Sequence, residues 1–555
     1  MLLSLALAAG LALPQAGSAQ EPSRLRIAIP ADDGSLTPYT FVSGYPFMSL
    51  VYDTLMWRDK NGIPQPWLAK TVKRSPTGRF VTVRLRQGIR WHDGRRLTAA
   101  DVAFTYAYML NHPHPRFTPE LQDIKAIHIR DRLTVDFELR RRSLGFDDQP
   151  LADVPILPAH LWATLPRGRR APPGLPVGTG PYRLTKHEPG KSYRFDANRD
   201  YFRGAPSVSR IDVPVIRRED AMTAALRSGR VDAAPITVAP GSIPKPPPAV
   251  ITSDEVSYNG TMLAFNVAGK PFDRLVARQA VARALDLKTI AGNAGGVAGG
   301  VVPANRGMLD PRSRWARAGL LHHFDPDAAR LAFTEQGIGP FTVAAPRNDP
   351  VRLEVGKRVV RALTDVGARA RLLELSPRAL DRALGRRDRR ASFDVAVVGI
   401  PALASYDPAF LTAAFGDPHT ASLNDGGYRS EEFSKLADRV ASAPTELARR
   451  GAVDDELRYL ASDLPAVPLL FGGGTIQYRP GAYNRWVDVR GTGILDKRSF
   501  LRGAAPVAAA KPGAGEPADL LDPSADEGFS LVPVIIAFFA IMLVAGGWWL
   551  VRRRT

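Results

Sequence analysis

Three places in this 555-residue chain hold residue types that could do chemistry. His92 and Asp93 stand side by side in Trp91-His92-Asp93-Gly94, a pairing suited to general acid–base work. His112, His114, His322 and His323 could ligate a metal. Gly190-Lys191-Ser192 resembles the end of a phosphate-cradling loop. The spacing argues against the last two. His112-Pro113-His114-Pro115 is a proline-rich turn, and adjacent His322 and His323 point in different directions on most backbones. A phosphate loop needs a glycine five residues before its Gly-Lys, and that position is Thr185. No HExxH or GxSxG spacing occurs. The absence of cysteine excludes thiol nucleophiles, disulfides, cysteine–zinc sites and a lipid-modified N-terminal cysteine. The residues point to a binder rather than an enzyme, with no cofactor and no metal.

Hydrophobic residues at 45% and charged residues at 23% are those of a globular protein, and the length calls for two or three lobes. A formal charge of +19 favours acidic partners. The basic residues are dispersed, however, in groups such as Arg140 to Arg142 and Arg386-Arg387, without interleaved stacking residues. That is a basic surface, and no nucleic-acid partner is expected.

The elements that carry these residues follow from periodicity. Phe80 to Arg86 alternates as an amphipathic strand. Turns at Gln87-Gly88 and Asp93-Gly94 bracket a second short strand, Ile89 to His92. Thr98 caps a helix with Asp101 in its first turn. Ile124 to Ile129 and Leu133 to Leu139 form a hairpin about Asp131. Ala277, Ala280, Val281, Ala284 and Leu285 mark a helix whose solvated face holds Arg278 and Arg283. Phe393 to Ile400 reads as a strand buried on both faces, and ligand sites favour the loop after such a strand, here Pro401 to Pro408. Ser430 caps a helix with Glu431 and Glu432 in its first turn.

Both ends read as membrane-related. Met1 to Ala16 is apolar and Gly17-Ser18-Ala19 follows, the pattern of a signal peptide over 1–19. Residues 503–528 are a tether rich in Ala, Pro and Gly, spanning roughly 30 Å. Leu531 to Val551 is apolar and long enough to cross a bilayer, with Trp548 and Trp549 at its end and Arg552 to Arg554 after it. This predicts a protein on the periplasmic or extracytoplasmic face of the cytoplasmic membrane, anchored by a C-terminal helix.

The order Leu85-Arg86, Gly88, Trp91-His92-Asp93-Gly94, Leu97-Thr98-Ala99, Asp101-Val102 resembles the signature of the extracellular solute-binding proteins, family 5, which serve peptide and nickel ABC transporters. Val51 to Leu55, Pro66 to Ala69, Gly178 to Tyr182, Tyr201 to Pro206, Ala225 to Asp232, Leu263 to Asn266 and Pro465 to Leu469 extend the resemblance over most of residues 24–500. It implies an α/β two-lobed periplasmic-binding-protein fold of type II with an extra inserted domain, to which the apolar run adds one C-terminal transmembrane helix. Lobe I would take 24–45, 177–258 and 480–502, the inserted domain 46–176 and lobe II 259–479. It further implies a membrane-tethered substrate-binding component of a peptide-type ABC importer. Such a protein captures a peptide or other small-molecule ligand between its lobes and hands it to ABC permease subunits. The alternative is a tethered ligand sensor or chaperone-like receptor without a transport role.

Candidate ligand-binding residues are Tyr39 and Thr40, in a loop that the family brings to the cleft edge, Asn266, and Ser405, Tyr406 and Asp407. One departure stands out. In peptide-binding relatives an aspartate four residues before a proline pairs with the peptide's amino group. Alignment on Pro408 puts Ala404 there, and Asp407 replaces it only if the loop is shifted. The resemblance makes Trp91-His92-Asp93-Gly94 an architectural turn rather than a reactive one.

Overall fold

The computed structural model describes residues 23–501 apart from 42–43, 167–168, 242–244, 254–257, 293–300, 318–322, 386–390, 420 and 422. The expected signal peptide, the 503–528 tether, the 531–551 helix and His322 lie outside the described residues.

Strand Phe80–Leu85 turns Val81, Val83 and Leu85 inward and leaves Phe80 and Arg84 exposed, as its alternation requires. It pairs antiparallel with Ala69–Arg74 and Thr134–Leu139, and Ile124–Asp131 completes a four-stranded sheet. Helix Ala99–Asn111 covers that sheet, with Tyr106 edge-on to Phe137 at 4.8 Å between ring centroids. Its start is locked by Thr98, whose backbone N–H and hydroxyl both donate to Asp101 Oδ2, at 2.9 and 3.0 Å. Ile89 to His92 is not a strand. Gly88 and Gly94, at φ +80° and +89°, each turn the chain, and only the Arg90–Arg96 bridge forms between them. His92 is fixed against Gly178-Thr179-Gly180: its backbone N–H donates to Gly178 O at 2.8 Å, and its Nε2 lies 3.0 Å from Gly180 O. Burial holds its imidazole down at about 4, neutral and architectural. Gly178 and Gly180 are needed for close approach, since a Cβ on either would overlap the carbonyls of Leu50 and Val51.

A second four-stranded sheet runs in the order Arg24–Arg26, Arg210–Pro214, Ser192–Ala197, Tyr182–Glu188. A three-stranded sheet joins Ala233–Thr237, Gly474–Tyr478 and Ile251–Thr252, so the chain returns here after building the third body.

That body is a six-stranded sheet, ordered Val302–Pro303, Ala466–Phe471, Gly260–Phe265, Val395–Ile400, Phe341–Pro346, Ala370–Leu375. All six residues of Gly260–Phe265 are buried. Leu263 and Phe265 face helices Leu275–Arg283 and Pro350–Asp365, while Met262 and Ala264 face helices Glu431–Ser442 and Glu446–Asp463. A sheet covered on both faces takes a continuous apolar strand, and burial of each large side chain contributes about 1.5–3 kcal/mol. Ser430 accepts from Phe433 N at 3.0 Å and so caps its helix. Arg278 departs from its expected solvated position. It is buried and donates to Phe272 O and to Asp463 O, both at 2.8 Å. It thereby supplies a partner to a carbonyl at the end of a neighbouring helix.

The expected fold is corrected at its C-terminal end. Among the described residues no helix is long and apolar enough to cross a membrane. Spanning takes about 20 consecutive apolar residues. The 18-residue helix Glu446–Asp463 is instead studded with charges, from Glu446 and Arg449 to Arg458 and Asp463. Anchoring by a C-terminal helix, and a membrane location resting on such a helix, are therefore not supported.

Candidate functional site

The strand Val395–Ile400 ends at Pro401, and the chain then makes two single-turn helices, Ala402–Ser405 and Pro408–Leu411. Asp407 caps the second by accepting from Ala409 N at 3.0 Å. Behind this loop, Ser405 Oγ accepts from Asp310 N at 3.0 Å and Ser405 O from Ser313 Oγ at 2.6 Å. Trp315 Nε1 donates to Tyr406 O at 2.8 Å. With its backbone held from behind, the Tyr406 side chain faces forward. Its hydroxyl donates to Arg490 O at 3.2 Å and lies 3.0 Å from Thr492 Oγ1, and its ring meets Tyr258 at 4.9 Å.

Residues from 46–176 meet it. Arg58, at the end of strand Met56–Arg58, lays its guanidinium 4.0 Å from the centre of the Tyr406 ring. Arg58 also donates to Asp148 O and lies 3.8 Å from Asp153. Asp153 receives Arg116 through two bonds of 2.8 Å and the Tyr45 hydroxyl at 3.0 Å. Burial works to raise the Asp153 carboxyl, but Arg116 and Arg58 outweigh it and hold it low.

Two arginines cross the junction to Asp148. Arg314 reaches it at 2.9 Å and Arg449 at 4.0 Å. Arg449 also pairs with Asp407. Gln149 Nε2 donates across to Leu403 O at 3.1 Å. At the rim, Arg141 pairs with Asp438 at 2.6 Å and Arg142 donates to Pro444 O at 2.8 Å. Gly145 brings backbone directly onto this contact, because a Cβ there would overlap the Asp407 carboxylate and the Arg449 guanidinium.

The junction is electrostatically unfinished. Burial pushes the Asp148 carboxyl up to about 7, with Asp407 adding to the rise and Arg314, Arg449 and Arg58 opposing it. Glu456 is fully buried, and neither of its oxygens has a hydrogen-bond partner among the described residues. Burial, reinforced by Asp407 and opposed by Arg449, holds its carboxyl well above the usual range. Asp148 Oδ1, Asp407 Oδ2 and Arg58 Nε are likewise unpartnered. Such a set can grip and release a polar ligand or the opposite face. Among the described residues no cluster of His, Asp and Glu is placed to hold a metal. The two best-defined cavities lie within the six-stranded body and have room for about one water molecule each.

Of the residues singled out from sequence, the structure brings Ser405, Tyr406 and Asp407 together on one loop. Asn266 follows the antiparallel partner of Val395–Ile400 and bonds Phe393 O at 2.9 Å. It therefore sits at the opposite end of the sheet from Tyr406, about 20 Å away along six or so residues of strand. Tyr39 donates to His112 O at 2.7 Å and packs on the rings of Tyr108, His114 and Trp162. Thr40 closes a local turn through its hydroxyl, bonded to Thr37 N at 2.9 Å. Arg58, Asp148, Arg314, Arg449 and Glu456 were not anticipated. A signal existed for two of them: Arg449 and Glu456 fall in the stripe Arg449, Ala452, Val453, Glu456, Leu460, an inward helical face interrupted by opposite charges.

A family model described as bacterial extracellular solute-binding proteins, family 5 Middle, matches residues 64–422. The oligopeptide-binding protein AppA of Bacillus subtilis is 25% identical over 281 residues, covering 49% of this chain and 50% of AppA. A Brucella ovis relative is 26% identical over 364 residues, which is 63% of this chain and 66% of the relative. The chain thus spans half to two thirds of the length of these curated relatives. Among solved structures, the substrate-binding protein CtaP of Listeria monocytogenes superposes with a TM-score of 0.71 at 21% identity, over 86% of this chain and 99% of CtaP. AppA in complex with a nonapeptide gives 0.70 at 19% identity, over 86% and 99%. At these identities the structures establish a shared two-lobed α/β fold.

Proposed function

Because the chain belongs to the bacterial extracellular solute-binding proteins, family 5, we propose that it is the substrate-binding component of a peptide-type ABC importer. It captures a peptide or other small-molecule ligand between two lobes and delivers it to ABC permease subunits. In this reading lobe I is 24–45, 177–258 and 480–502, the inserted domain 46–176 and lobe II 259–479. The observation that carries it is Tyr406. One side chain meets Arg58 from 46–176, Tyr258 at the end of 177–258, and Arg490 O and Thr492 from the C-terminal return. Closure of the lobes about that residue is a population shift, driven by a ligand that contacts the closed faces better than the open ones.

A second reading, a ligand receptor without a transport role, draws on Ala404. No carboxylate stands where peptide-binding relatives pair with the amino group, and Asp407 is already held by Arg449 and Ala409 N. The test is native mass spectrometry of the full chain purified from its own source. A bound species of peptide mass that leaves on denaturation supports the importer. Empty protein, with no thermal shift across peptide pools, overturns it.

A further inference from the structure

We propose that Arg86, Arg203 and Arg498 form a binding site for a doubly charged, phosphate-class oxyanion, separate from the Tyr406 junction. The three come from distant stretches of chain and meet at Trp67, which is itself buried. Arg86 follows strand Phe80–Leu85 and donates to Trp67 O at 2.7 Å. Arg203 stands in the turn closed by Gly204 N on Tyr201 O, its guanidinium 4.0 Å from the Trp67 ring centre. Arg498 lies in the single-turn helix Lys497–Phe500, 5.0 Å from the same ring, and donates to Arg58 O at 2.7 Å. Arg203 is exposed and the other two are half-buried, so an anion can reach them from solvent.

None of the three pairs with a carboxylate among the described residues. Other guanidiniums in 46–176 either pair with a carboxylate, as Arg116 does with Asp153 and Arg141 with Asp123, or stand apart bonded to backbone carbonyls, as Arg90 is to Gly94 O; these three gather about one indole. The carboxylates behind Trp67 are engaged. Asp53 receives Lys497, Trp67 Nε1 and the Tyr201 hydroxyl, and Asp496 receives Trp57 Nε1 and Arg498 N. Like charges therefore gather about Trp67 with no carboxylate ion pair of their own among the described residues, although Asp53 and Asp496 lie behind the ring. Burial, together with the neighbouring Arg86 and Arg498, holds the Arg203 guanidinium below its usual range. Three planar donor groups suit an oxyanion with three free oxygens and two charges, whereas a carboxylate is satisfied by one arginine. The same headgroup chemistry occurs in a free phosphomonoester and in a phosphatidic-acid surface.

The test uses the full chain, with inorganic phosphate titrated by calorimetry against chloride at matched ionic strength. Wild type should bind with a single saturable site, and Arg203→Gln should weaken it by about tenfold, the loss of one charge-assisted contact. Arg203 is exposed and among the described residues donates no hydrogen bond, so Arg203→Gln loses only its stacking on Trp67 and should fold and melt cooperatively in phosphate-free buffer. Arg84→Gln, an exposed arginine of the same sheet, should bind as wild type does. Phosphatidylcholine vesicles with and without phosphatidic acid separate the two sources. Saturation by phosphate assigns a soluble phosphomonoester; capture only by phosphatidic-acid vesicles, lost in Arg203→Gln, assigns the lipid headgroup. The proposal is overturned if neither probe saturates, if Arg203→Gln binds like wild type, or if Arg84→Gln loses as much.

Discussion

Two regions of this molecule bury charge, and they do it differently. Around Lys497 every partner is present. Its ammonium, fully buried, donates to Asp53 at 2.8 Å and Tyr52 O at 3.0 Å and lies 4.1 Å from the Trp57 ring. Asp53 in turn accepts from Trp67 Nε1, Tyr201 and Thr179. At the Tyr406 junction the charges are as deep, yet Asp148, Asp407, Glu456 and Arg58 all keep atoms without a partner among the described residues. A completed buried network fixes one arrangement, because removing any member strands another. An incomplete one has less to lose when it parts. The first region welds the C-terminal return to the start of the chain, and the second is a seam.

The largest effect should therefore fall on the weld. Lys497→Met strands the Asp53 carboxylate in a dry interior and should cost about 3–5 kcal/mol, read as a lower urea midpoint. A loss under 1 kcal/mol would remove the distinction between the two regions. Next comes Gly145→Ala. Its new Cβ meets Asp407 and Arg449 only when the seam is shut. Stability should hold, while the closed fraction drops about tenfold, roughly 1.4 kcal/mol. The cysteine-free chain allows labels at Arg132→Cys and Glu432→Cys to report the distance. An unchanged distance distribution would refute the seam.

The seam should also answer to pH. Asp148 has its carboxyl pushed up to about 7 by burial and Asp407, against Arg314, Arg449 and Arg58. A carboxylate raised in the closed state makes closure take up a proton. Its contribution is complete below the open-state value near 3.8 and is lost as pH climbs through about 7. Across that window the closed population should fall with pH, by at most about tenfold per unit. Asp148→Asn should flatten the profile. A slope of the opposite sign, or one that survives Asp148→Asn, places the proton elsewhere.

These two regions also mark what local sequence can carry. The strand at Phe80–Leu85, the Thr98 cap and the buried run at Val395–Ile400 are legible because period and capping act over a few residues. The loop with Ser405, Tyr406 and Asp407 is legible because it follows a buried strand. Arg58 stacking on Tyr406, or Lys497 reaching Asp53, joins residues hundreds of positions apart, and neither leaves a local period. Ile89 to His92 misleads for the opposite reason: its apolar spacing is real, but two left-handed glycines leave no length for a ladder. Arg278 misleads because a guanidinium off the apolar stripe can still be drawn inward by unpaired carbonyls.

The smallest effect should come from Glu456→Gln, and its smallness is informative. Glu456 is fully buried with Asp407 beside it, so burial first and that neighbour second raise its carboxyl well above the usual range and favour the neutral acid. Gln keeps the shape, carries no charge and adds one donor, so the thermal stability at pH 7 should move by no more than the about 1 kcal/mol typical of one hydrogen bond. At low pH both forms are neutral and the difference should not grow. A loss of about 3 kcal/mol or more at pH 7 would mean that Glu456 is ionised and paired with Arg449. The junction would then be as complete as the weld around Lys497, and the Gly145→Ala and pH effects should shrink with it.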